Sequence, residues 1–130
     1  MKQNKYTIFA FFCLLLLFLS GCSKGFDDRL RGKWQLREYI QGTESTELNQ
    51  VFYNFSRQVL LIQNKGTETF GQFFQEGDSL ILELPDHDQV PEAFMHFGWE
   101  STEERVAIRK LSRSKLELSR GDQYWVLRKF

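Results

Sequence analysis

The sequence predicts an all-β fold, a small antiparallel up-and-down barrel of about eight strands, with an open β-sandwich as the alternative. Three observations predict it. Apolar and aromatic residues alternate with polar ones along most of the chain, as in strands with one buried face. Turn-forming tripeptides (Asn64-Lys65-Gly66, Glu76-Gly77-Asp78, Ser112-Arg113-Ser114 and Arg120-Gly121-Asp122) interrupt the alternation, close to the spacing of roughly 8–12 residues typical of such folds. Both prolines, Pro85 and Pro91, fall in one loop, so no strand loses a ladder donor. An antiparallel meander leaves two unpaired edges unless it closes. At about eight strands, closure leaves room for side chains or one small ligand.

Residues 1–21 read as an export leader, outside the fold. Lys2 and Lys5 precede an apolar run over residues 8–19, too short for the about 20 residues of a membrane-crossing helix. Leu19-Ser20-Gly21-Cys22 then sets small residues before a cysteine, a pattern that resembles the lipobox of bacterial lipoproteins. The resemblance implies cleavage before Cys22, a diacylglyceryl thioether on its sulfur and an acylated amine. Such multiple chains anchor a protein stably where one would not. Residues 22–29 are then a lipidated tether, and 30–130 form one domain. An outer-membrane location is expected; surface-export signals of the lipoproteins the chain resembles set acidic residues close behind the cysteine, so Lys24, ahead of Asp27 and Asp28, implies the periplasmic face.

Cysteine and charge narrow the classes further. Cys13 leaves with the leader and Cys22 is taken up by lipid, so the domain has no thiol for a disulfide, a CxxC pair or a zinc site. The chain has 17 basic and 17 acidic residues; loss of Lys2 and Lys5 leaves a slight acidic excess with no basic run. Nucleic acid is therefore not an expected partner, because its binding rests on clustered cations.

The strands follow in order. Gly32-Lys33-Trp34 heads the first, with Trp34, Leu36 and Ile40 expected on one face. Residues 43–50 are polar and read as a loop or a short helix. Val51, Tyr53 and Phe55 alternate, residues 59–62 are continuously apolar, and Phe70, Phe73 and Phe74 follow. Leu80, Leu82 and Leu84 share a face. Residues 92–99 fit either a helical turn or a strand. Val106 with Ile108, Leu116 with Leu118, and Trp125 with Leu127 complete the series.

Gly32-Lys33-Trp34 at the head of such a series, with the basic Arg128 in the last strand, resembles the lipocalin-like domains of small bacterial lipoproteins. The resemblance implies that Gly32 and Trp34 stand at the base of a lipocalin-like barrel. It also implies that Arg128 packs across the Trp34 indole in a cation–π contact that closes it. Candidate ligand-binding residues, chosen because they alternate on apolar faces, are Tyr53, Phe55, Phe70, Phe74 and Leu82, with Trp34 beneath them.

Catalytic and metal chemistry find little purchase. Asp86-His87-Asp88, near Glu92 and His96, is the densest group of ligand-type residues, but a polar, Pro-flanked loop is normally solvated. Glu103-Glu104 reads as a charged turn, and Arg120-Gly121-Asp122 as a tight hairpin. No cofactor, metal or enzymatic activity is expected. Two functions compete: an anchored binder of a small apolar or amphipathic ligand, and a non-catalytic structural or protein-interaction lipoprotein with a filled barrel and an envelope partner. The first requires a connected void lined by the aromatic candidates. The second requires an exposed apolar patch, expected around Phe94, Phe97 and Trp99.

Overall fold

The computed structural model describes residues 27–85 and 90–130; the leader, Cys22 and Asp86-His87-Asp88 lie outside them. The chain runs through β1 (Gly32–Gln41), β2 (Glu44–Ser56), β3 (Val59–Asn64), β4 (Thr67–Glu76), β5 (Ser79–Glu83), a four-residue helix α1 (Glu92–Met95), β6 (Glu103–Leu111), β7 (Lys115–Arg120) and β8 (Gln123–Lys129). Each strand pairs with the next, and β8 returns antiparallel to β1, giving a closed eight-stranded barrel. Every strand has a paired neighbour on both sides, and the sandwich alternative falls away.

Alternation drives the barrel as expected, with Leu80, Leu82, Leu116, Leu118 and Leu127 all buried in one core cluster. Three local readings change. Residues 44–50 form the first half of β2, paired with β1 from Gln41↔Glu44 to Glu38↔Glu47. This stretch projects beyond the core and is exposed along most of its length, so neither face needs apolar residues and no alternation betrays the strand. In β1 the register shifts between Leu36 and Glu38: two steps along β1 match a single step in β8, from Leu127 to Val126. The extra residue reverses side-chain parity. Tyr39, 7% exposed, therefore turns inward in place of the expected Ile40. Residues 92–95 are helical, entered from Pro91, whose fixed φ suits a helix start.

The barrel has two distinct ends. The base gathers the β2–β3, β4–β5 and β6–β7 turns together with both described chain ends. The mouth gathers the β1–β2, β3–β4 and β7–β8 turns and the long β5–β6 connection.

Candidate functional site

Closure of the base begins in the segment read as tether. Asp27 caps a 3-10 turn, Asp28–Leu30, accepting the Arg29 amide at 2.9 Å. Arg29 also donates Nη2 to the same carboxylate at 2.7 Å. The Arg29 side chain first, and then its amide, hold the Asp27 carboxyl down at about 2. The folded part thus starts ahead of residue 30, and Leu30, fully buried, plugs the barrel floor. Trp34, also fully buried, donates its indole N–H to the Leu30 carbonyl at 2.8 Å.

The cation over Trp34 is Lys129, not Arg128. Lys129 Nζ lies 4.6 Å from the indole centroid and donates to the Arg31 carbonyl. Burial lowers its pKa. Parity gives the reason. Trp125 and Leu127 point inward along β8, so Lys129 continues their face and Arg128 takes the other. Arg128 lines an open polar groove of about 630 Å³ on the outer wall, with Arg37, Glu38, Glu47 and Lys115. Gly32 fits its place for a backbone reason: its φ is +117°, and a Cβ there would stand 2.6 Å from Lys129 Nζ.

The mouth is closed by residues 90–99. Phe94 and Phe97 are fully buried and Trp99 is 3% exposed, so the expected external patch is instead an internal stopper. Trp99 donates its indole N–H to the Tyr53 hydroxyl at 3.0 Å, and Trp125 donates to the Phe97 carbonyl at 2.7 Å. Burial pushes the Tyr53 phenol well above its ordinary pKa, against the opposing pull of the Trp99 hydrogen bond. Gly98, at φ +100°, passes so close to the core that a Cβ would lie 2.6 Å from the Trp125 ring.

An ion pair holds the stopper down. Glu104, 7% exposed, pairs with Arg120 and accepts the amides of Glu100 and Ser101 at 2.8 and 3.0 Å. Arg120 donates to the Gly98 carbonyl at 3.1 Å and to Gln123 Oε1 at 2.6 Å. Gln123 in turn donates to the Tyr39 hydroxyl at 2.7 Å. The network links β1, β6, β7 and β8 to the incoming loop. Glu103-Glu104 is therefore more than a charged turn: Glu103 faces solvent, while Glu104 ties the mouth shut. No sequence motif marks this pair; only the inward parity it shares with Val106 does.

The aromatic candidates divide between the two sides of the wall. Tyr53, Phe55 and Leu82 are buried inside. Phe70 and Phe74 are not: they are 59% and 36% exposed on the outer wall, and Phe73 is the inward residue of β4. Phe73 stacks edge-on against Phe55 at 4.9 Å between centroids. The space beside Tyr53, Leu82, Trp99, Glu104, Arg120 and Trp125 amounts to about 10 Å³, which admits about one water. Among the described residues, no three His, Cys, Asp or Glu side chains converge in a way that would hold a metal.

Comparison with known proteins agrees with this architecture. A family model described as a lipocalin-like domain matches residues 16–130. A solved lipocalin-like protein from Bacteroides uniformis is 28% identical, with a TM-score of 0.69, over 78% of this chain and 99% of its own. An uncharacterized protein from Bacteroides eggerthii shares the fold at 24% identity and a TM-score of 0.69, with the same coverage of both chains. No curated protein matches the sequence.

Proposed function

This chain belongs to the lipocalin-like domain family, and on that premise we propose that it is a non-catalytic envelope lipoprotein acting through the outer surface of a filled barrel. In this reading Cys22 carries the lipid, and the domain faces the periplasm from the outer membrane. One observation carries it: the space left by the protein's own side chains beside Tyr53, Leu82, Trp99 and Trp125 is about 10 Å³, whereas pockets for small organic ligands run to about 300–1,000 Å³. The polar groups of the mouth are spent on one another, with no buried side-chain donor or acceptor unpaired among the described residues.

A second reading, capture of a small apolar ligand, is favoured by a specific feature. Phe94, Phe97 and Trp99 all belong to the single connection between β5 and β6, so lifting one segment would open the interior onto Tyr53, Leu82 and Trp125. Native mass spectrometry of the protein released from its own membranes separates the two. The filled-barrel reading expects only the lipidated polypeptide. A stoichiometric apolar molecule retained by the wild type and lost from Tyr53→Ala would overturn it in favour of ligand capture.

A further inference from the structure

The outer wall of the barrel is apolar on one side, low down, beside the point where the chain enters. Leu61 pairs directly with Phe70 across β3 and β4, and Phe74 with Ile81 across β4 and β5. Val59, 46% exposed, extends the strip to the foot of β3. Ile81, opposite Phe74, is 7% exposed and lies outside the core cluster. The opposite wall differs. It presents Arg37, Glu38, Glu47, Lys115 and Arg128 around a polar groove.

The entry point of the chain says what meets this strip. The Asp27 amide donates to Gln75 Oε1 at 2.6 Å; the Gln75 side chain shares the inward parity of Phe73, so the chain enters at the base end of β4, one residue beyond Phe74. From Asp27 back to Cys22 there are five residues, which reach at most about 17 Å when fully extended. If lipid is fixed at Cys22, Asp27 at the base end of β4 cannot stand farther than that from the bilayer surface. A barrel so leashed, with one apolar side at the leash, lowers its free energy by laying that side against the interface, at about 25 cal/mol for each Å² taken from water.

We propose that Val59, Leu61, Phe70 and Phe74 form a bilayer-resting face, which holds the barrel on its side with β7, β8 and β1 turned to the aqueous phase. The proposal rests on lipidation of Cys22. Glu68 and Glu76 border the strip, with Arg105 bound to Glu76 at 3.4 Å, and Gln72, paired with Val59 on one side and Glu83 on the other, crosses it between Phe70 and Phe74. The contact is therefore hydrophobic rather than a basic patch seeking anionic lipid, and neutral phosphatidylcholine suffices for it.

The test uses the full lipidated protein, reconstituted in phosphatidylcholine vesicles. Single variants Phe70→Cys and Phe74→Cys carry a nitroxide, with Tyr124→Cys and Arg128→Cys as controls. Both controls lie on β8, four strands away across the barrel, one near the mouth and one near the base. Collision with oxygen relative to a water-soluble nickel chelate is expected to be several-fold higher at 70 and 74 than at 124 and 128. Acylation is read independently, from labelled palmitate incorporated by the wild type and not by Cys22→Ala. Acylated protein with all four sites equally open to the chelate overturns the face while lipidation stands. Labels at 70 and 74 shielded from both reagents overturn it in favour of a protein occupant. Absence of acylation removes both readings together.

Discussion

The base and mouth of this barrel are closed by different means. At the base the strands are sealed by the chain leading into β1: Leu30 fills the floor, Trp34 hydrogen-bonds it, and Lys129 covers the indole. At the mouth the seal is an inserted segment, held by two indole hydrogen bonds and the Glu104–Arg120 pair. The residues that seal the base lie near the chain ends, with Asp27 also tied to Gln75 of β4. The mouth depends on groups scattered from Tyr39 to Trp125. The base is thus part of the barrel's own stability, whereas the mouth is a separate unit that can loosen first.

Removing the base indole tests that contrast most severely. Trp34→Ala is expected to lower global stability by about 3–5 kcal/mol, read as a lower denaturation midpoint, with amide exchange rising in all eight strands together. Glu104→Ala should cost about 2–3 kcal/mol, below the range for a fully buried pair, because the Arg120 side chain is 25% exposed. Its exchange increase should be concentrated at Gly98, Glu100 and Ser101. An equal rise throughout the barrel would show that the mouth is no independent unit.

The pairing of Trp34 with its cation is tested next. Lys129→Ala should cost about 1 kcal/mol through the lost cation–π contact and hydrogen bond, while Arg128→Ala stays within about 0.5 kcal/mol of wild type. Equal effects in urea denaturation would return Arg128 to the closure.

The smallest effects near neutrality are those of pH, and the two ends should respond at opposite extremes. The Asp27 carboxyl is held at about 2, below its ordinary 3.8. The stability it contributes is present above 3.8 and lost as pH falls toward 2, with Asp27→Asn flattening the acid limb. The Tyr53 phenol is raised above its ordinary 10.0. Its contribution is intact below pH 10 and drains away as pH climbs beyond, since only the unfolded chain then ionises freely. Tyr53→Phe should flatten the alkaline limb. Thermal midpoints across the pH range check both arms.

The same contrast explains what could be read beforehand. The barrel and its strands were legible because alternation and turn residues are local properties, and Gly32 and Trp34 sit in a contiguous motif. Lys129 was also within reach: the inward parity of Trp125 and Leu127 runs straight to it. Phe70 and Phe74 misled for a physical reason. Three phenylalanines within five residues occupy both parities of β4, and the larger apolar set faces outward. Only register with β3 and β5 reveals that Phe73 is inside. The mouth offered least. Its ion pair joins residues of different strands, and its stopper looked like a surface patch because three rings in a short irregular segment have no periodicity to declare a buried side.

One feature of the sheet bears on how the molecule is made. The seam that completes it pairs the first strand with the last, Trp34 opposite Lys129, whereas every other pairing joins neighbours in sequence. Hairpins join residues close in sequence, whereas this seam spans nearly the whole domain and carries the largest loop-closure cost. Loss of even the final strand would leave β1 and β7 as raw edges prone to recruit other chains. Extension past Phe130, 72% exposed, would be harmless by the same reasoning. A reporter fused there should be tolerated, and a stop codon a few residues earlier should not.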